Sequence, residues 1–278
     1  MFCMPADRGN LRLRLENLTP RRQMAPLNHL TFAARAGLPP LALASAFDAI
    51  IFDKDGTLMN FAASWNPAIH AGICERSGDD LQLRERIAST IGFDMNERQP
   101  LRDAPVIHAS NAELLEMLEP HTDGRALLDA CARRVIEHAT PAAHADTVLR
   151  ALCDAQIPCA VATNDEESST AQQLRALGWL HHEPPLIGGV LCCDSGHGGK
   201  PEPGMVLAAA ARLGVDVSRC AMVGDSAADL LAGRRAGCAA TLLVGPPEAV
   251  AQHAPLADHW MRDLGELLRP VEDCPAAA

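Results

Sequence analysis

Lysine is nearly absent from this chain. Among its 278 residues only Lys54 and Lys200 carry an ammonium, and every other cationic side chain that is not histidine is an arginine. One of the two stands between paired acids and the other in a glycine-rich loop. An ammonium is a compact point charge, which suits one phosphate oxygen better than a planar guanidinium does. Chance placement is the alternative for each. Also missing is an apolar run long enough to span a bilayer, and no secretory core of apolar residues follows the N-terminus. The ten cysteines include no CxxC pair, and Cys192 and Cys193 are adjacent. That pattern suits neither a disulfide framework nor a structural zinc site. Most of the thiols, among them Cys153, Cys159, Cys220 and Cys238, fall in apolar runs as small hydrophobes, so a reducing, cytoplasmic setting is expected. The net charge of −11 argues against general nucleic-acid binding. An anionic substrate would need local positive charge from a metal or a few basic side chains.

What is present centres on Ala49–Leu58. The run Ile50 to Phe52 is too short for a helix and reads as a buried strand. It ends in Asp53-Lys54-Asp55-Gly56-Thr57. Side chains at i and i+2 share one side of an extended segment, so Asp53 and Asp55 can face one point. Two carboxylates about 4 Å apart repel by roughly 4 kcal/mol at an effective dielectric near 20. A divalent cation or a shared proton relieves that repulsion.

Residues 1–45 differ from the rest. Six arginines face two acids, Asp7 and Glu16, and prolines interrupt any long helix. A mobile extension is expected, with an organelle-targeting segment as the alternative. From 61 to 142 the pattern is helical, with apolar spacing over 81–91, 110–118 and 124–138 and no strand signal. This predicts an all-helical insert. Asn111 or Ser110 could cap the second of these helices and Asp123 the third. Strands and helices then alternate: strands over 157–162, 186–193, 220–223 and 241–244, and helices over 143–155, 168–177, 203–213 and 227–236, the last three closed by Gly178, Gly214 and Gly237. The expected fold is α/β, a Rossmann-like parallel sheet with helices on both faces. Residues 46–60 and 143–270 form this core, with the insert as a separate small domain.

In a parallel sheet all strand C-termini lie along one edge. Asp53 and Asp55, Thr163 and Asn164, Lys200, and Asp225 with Asp229 can therefore converge there. Three or more acids, a hydroxyl and one ammonium suit Mg²⁺ and a phosphate. Taken singly, each has a plainer reading. Thr163 could cap a turn, Lys200 could be a solvated loop charge, and Asn164 could cap the next helix. Arg76, Arg84, Arg86, Arg98 and Arg102 could read a substrate from the insert or simply face solvent. His197, His181 and His182 carry no strong signal.

In order along the chain, these segments resemble the haloacid dehalogenase (HAD) superfamily, phosphoglycolate phosphatase-like members with a helical cap. Asp53-Lys54-Asp55-Gly56-Thr57 matches its first motif and Thr163 its second. Lys200 in Gly199-Lys200-Pro201 matches its third, and Gly224-Asp225-Ser226-Ala227-Ala228-Asp229 its fourth. The resemblance implies Asp53 as nucleophile and Asp55 as general acid and base. Mg²⁺ would be held by Asp53, the Asp55 backbone carbonyl and Asp225, and Thr163, Asn164 and Lys200 would contact the phosphoryl group. Gly56 and Thr57 would support the loop, and Asp229 would hold Lys200 or a metal-bound water. Asp55 favours a phosphatase over a dehalogenase, which lacks an acid there. The insert has no lysine for Schiff-base chemistry on phosphonates. The expectation is a Mg²⁺-dependent phosphomonoester hydrolase acting on a small phosphorylated substrate, as a monomer or homodimer. A phosphomutase of the β-phosphoglucomutase kind and a non-catalytic phosphate-binding module are the alternatives.

Overall fold

A computed structural model describes residues 43–268, apart from 102, 103 and 110 and the side chain of residue 108. The extension expected over 1–45 lies almost wholly outside these residues. Its last part does not, and Leu43 and Ala44 are buried.

The chain runs from strand β1 (Ala49–Phe52) into helices α1 (Phe61–Ser77) and α2 (Leu81–Ile91), then a hairpin of β2 (Phe93–Asp94) and β3 (Gln99–Pro100). Helices α3 (Asn111–Leu118), α4 (Gly124–His138) and α5 (Ala145–Asp154) lead to β4 (Cys159–Thr163). The remainder alternates: α6 (Glu167–Ala176), β5 (Gly189–Cys192), α7 (Gly204–Leu213), β6 (Cys220–Gly224), α8 (Ala227–Ala236), β7 (Ala240–Val244) and β8 (His259–Met261). Six strands form one sheet in the order β5-β4-β1-β6-β7-β8, and every pairing in it is parallel.

β1 sits between β4 and β6, where both faces are covered. All four of its residues are buried, which explains an unbroken apolar run in place of alternation. Ala49 and Ile51 pack with Ala160, Ala162 and Met222 against residues of α7 and α8. Ile50 and Phe52 project to the opposite face and are fully buried there. Burial of each large side chain contributes roughly 1.5–3 kcal/mol.

Between β1 and β4 the insert builds a core of its own, in which Ile69, Ile73, Ile87, Ile91, Leu118 and Leu127 cluster. Asn60, Asp80 and Asp123 cap α1, α2 and α4, each side chain accepting from a backbone N–H three residues on. The Asp123 cap is as predicted; of the two alternatives for α3, Ser110 falls outside the described residues, and Asn111 is the first residue of the helix, its amide donating to Glu166 at 3.1 Å.

Two expectations need correction. The insert is not wholly helical, because β2 and β3 pair antiparallel as a short hairpin. Asp94 accepts from the N–H groups of Asn96 and Glu97, which turns the chain without any apolar alternation to announce it. The sheet also has a sixth strand beyond the predicted five, β8, three residues long at the edge beside β7.

Candidate active site

Strand register brings the predicted groups to one level. Phe52 lies opposite Val161 of β4 and Val223 of β6. Asp53 follows directly, Thr163 stands two residues beyond Val161, and Asp225 two beyond Val223. The Asp53 N–H donates to the Val223 carbonyl at 2.8 Å, which holds the start of the acidic loop against β6. Gly56 then takes φ +83°, and a Cβ at this position would collide with the Asp225 carboxylate. Only glycine admits that approach without strain.

Lys200 arrives from the loop after β5. Its ammonium, almost fully buried, donates to Asp53 Oδ1 and to the Ala162 carbonyl, the latter at 2.8 Å, and lies 2.7 Å from Asp229 Oδ1. Asn164 brackets the same residue through its backbone. Asn164 Oδ1 accepts from the Lys200 N–H at 2.8 Å, and Asn164 Nδ2 donates to the Lys200 carbonyl at 3.0 Å. This amide therefore positions the lysine, a task that neither of the sequence readings of Asn164 foresaw. The other oxygen of Asp229 accepts from the Ser226 N–H and hydroxyl, closing a capping box on α8. Asp229 thus caps a helix with one oxygen and holds Lys200 with the other. Thr163 is buried, and its hydroxyl accepts from the Asp165 N–H at 3.2 Å. Its own proton stays available for an acceptor in the site.

Asp53, Asp55, Gly56, Thr163, Asn164, Lys200, Asp225 and Asp229 all line one cavity of about 650 Å³. Thr57 does not. It is buried below the loop, its hydroxyl without a hydrogen-bond partner among the described residues. The insert closes the other side of the cavity, with Trp65, Val106, Ile107 and Leu128 among its lining residues. Among the described residues, the arginine from the insert that lines the cavity is Arg125, which nothing in the sequence distinguishes from its neighbours. It lies 3.4 Å from Glu166. Of the five arginines considered as substrate readers, Arg76, Arg84, Arg86 and Arg98 do not line it, and Arg102 lies outside the described residues.

The electrostatics ask for a cation. Carboxylate oxygens of Asp53, Asp225 and Asp229 lie within 4.8 Å of one another. Three acids thus share one ammonium. Burial raises the Asp53 carboxyl; Lys200 pulls it back, Asp229 and Asp55 push further, and it settles at about 7. Asp225 is raised well above its ordinary value, first by burial and then by Asp53 and Asp229. For Lys200, burial works against the charged form, and Asp229 and Asp53 outweigh it and raise the pKa. Hard oxygen donors around a cleft kept open by a glycine fit Mg²⁺. With Asp229 engaged by Lys200 and Ser226, Asp53 and Asp225 are the carboxylates left to hold it.

Three further side chains carry little signal in the sequence. Trp65 Nε1 donates to Asp55 Oδ1 at 2.6 Å, while Asp165 and Gln173 surround Lys54. Lys54 is fully buried; burial opposes its charge, but Asp55 and Asp165 outweigh it and raise its pKa. Asp165 had one visible signal, its place directly after Thr163-Asn164. Trp65 and Gln173 stand on helices with no motif around them.

Fold and site together define a phosphatase-type hydrolase. The chain belongs to the haloacid dehalogenase-like hydrolases, whose family model matches residues 47–237. A phosphoglycolate phosphatase of Xanthomonas campestris pv. campestris is 29% identical over 196 residues, covering 68% of this chain and 79% of its own. A D-glycero-beta-D-manno-heptose-1,7-bisphosphate 7-phosphatase of Mesorhizobium japonicum is 34% identical over 142 residues, or 42% of this chain and 64% of its own. Among solved structures, a HAD family hydrolase from Deinococcus radiodurans R1 with bound phosphate and sodium has the same fold. Its TM-score is 0.54 at 24% identity, covering 81% of this chain and 99% of that one.

Proposed function

We propose that this phosphatase is a Mg²⁺-dependent phosphomonoester hydrolase that works through an aspartyl phosphate. Its substrate is a small phosphorylated metabolite, phosphoglycolate-like or a sugar phosphate. The observation that carries the reading is the convergence of eight predicted residues, the buried Lys200 among them, on one cavity. All eight belong to this chain, so a monomer or a homodimer serves this reading equally. The eight described cysteines are all free, which suits a cytoplasmic enzyme.

Asp53 attacks phosphorus with a carboxylate oxygen, and the bond from phosphorus to the ester oxygen breaks. Asp55 gives its proton to the departing alcohol. The same carboxylate then takes a proton from the water that attacks the acyl phosphate, which frees inorganic phosphate and restores Asp53. Lys200 and the Thr163 hydroxyl hold the phosphoryl oxygens as charge spreads over them. Mg²⁺, when held by Asp53, Asp225 and the Asp55 backbone carbonyl, screens the repulsion between carboxylate and phosphate. Residues 61–142 act as a cap that excludes bulk water from the site.

The test is a panel of phosphorylated metabolites assayed for free phosphate with and without Mg²⁺. Release should require the metal. Asp53→Asn should lower kcat by roughly a thousandfold or more, and a variant as active as the wild type would remove the nucleophile from the account. A mutase would instead yield an isomerised phosphate ester with little free phosphate.

A further inference from the structure

The proposed chemistry uses one of the two lysines and leaves the other without a task. The ammonium of Lys54 is fully buried, 2.5 Å from Asp55 Oδ2 and 3.1 Å from Asp165 Oδ2, and donates to Gln173 Oε1. Gln173 in turn donates to Asp165 at 3.2 Å and to the Ser169 hydroxyl at 2.7 Å. Desolvating such an ionic cluster is expensive, and an apolar replacement of similar volume is often as stable. Stability alone therefore does not account for a charge here.

The other oxygen of Asp55 has a donor of its own. The Trp65 indole N–H reaches Oδ1 at 2.6 Å, and its ring lies 5.6 Å from Lys54 Nζ. Lys54 belongs to the loop after β1, whereas Trp65 stands on α1, the first helix of the insert. Two donors, one from the core and one from the insert, thus fix the plane of a single carboxylate. Each oxygen keeps a second lone-pair site for a proton.

We propose that Lys54 and Trp65 are positioning residues for Asp55, and that Trp65 ties the orientation of this acid to the seating of the helical insert. The assignment rests on the hydrolase reading, in which Asp55 protonates the leaving alcohol. In that reading both act through the Asp55 carboxylate and neither on the phosphoryl group itself. The consequence is a dependence on the leaving group. An alkyl alcohol must be protonated as it departs, whereas p-nitrophenolate departs without a proton. Loss of either contact should slow formation of the aspartyl phosphate from the first kind of ester and spare it for the second; the later attack of water is common to both.

Trp65→Phe keeps the ring and removes the N–H. For the fastest alkyl phosphomonoester of the panel, the ratio kcat/KM, which reports the steps up to departure of the alcohol, should fall about tenfold, part of what a general acid supplies. The same ratio for p-nitrophenyl phosphate should stay within about twofold. Lys54→Met should give the same split. Should that variant fail to fold, Trp65→Phe still decides the matter. Equal losses of kcat/KM on both esters, or no loss on the alkyl one, would overturn the assignment and leave the hydrolase reading intact. A wild-type chain inactive on both esters, or an active Asp53→Asn variant, would sink the hydrolase reading and this assignment with it.

Discussion

At the scale of single residues, the site is a crowd of buried carboxylates restrained by few donors. Asn164 shows how little slack remains, since both of its polar atoms are spent on the Lys200 peptide. Asn164→Ala would leave that peptide's N–H and carbonyl without partners, a cost of about 1–3 kcal/mol. A lower melting temperature and a reduced kcat, both measured beside the wild type, are the expected outcome. An unchanged kcat would mean that Lys200 needs no such bracket. The nucleophile, the lysine and the acids were legible from residue type and spacing. Trp65 was not, because a tryptophan on a helix reads as core until its indole N–H is seen on Asp55. Arg125 was hidden for a related reason. Arginines are scattered along the insert, and only packing selects the one that faces the cavity.

At the scale of elements, local chemistry and catalytic chemistry overlap. The capping box of α8 uses Asp229, which also holds Lys200. Ser226→Ala should therefore cost about 1 kcal/mol as a lost cap, read from chemical denaturation, and should also lower kcat as Asp229 loses one restraint. Stability loss with unchanged turnover would separate the two roles. Elements with strong apolar periodicity were legible, as were helix ends at Gly214 and Gly237, both of which adopt the left-handed conformation. Three elements were less so. The buried face of α1 includes Ser64, Ala68, Gly72 and Ser77, spaced for a helix but too small or polar to form an apolar stripe. The β2–β3 hairpin contributes two residues from each strand. β8 is a three-residue edge strand whose first two residues are only half-buried. Its existence depends on β7 beside it.

For the whole molecule, the raised acids make stability depend on pH and on metal together. The Asp53 carboxyl stands at about 7 against an ordinary 3.8, so the folded chain binds more protons than the unfolded chain between these values. Stability of the metal-free protein should fall as pH rises through that window. A divalent cation replaces those protons, so Mg²⁺ should raise the melting temperature more at about pH 8 than at about pH 5. Asp225→Asn should remove most of that difference. A Mg²⁺ effect independent of pH would place the ion elsewhere.

The central claim is that the phosphoryl group passes through Asp53 before it reaches water. Each in-line displacement inverts phosphorus, so two in succession restore its configuration. The most direct measurement is hydrolysis of a phosphorothioate monoester whose two free oxygens are different isotopes, in water of the third isotope, followed by stereochemical analysis of the released thiophosphate. The account predicts overall retention; inversion would mean that water attacks the ester directly and that no aspartyl phosphate forms.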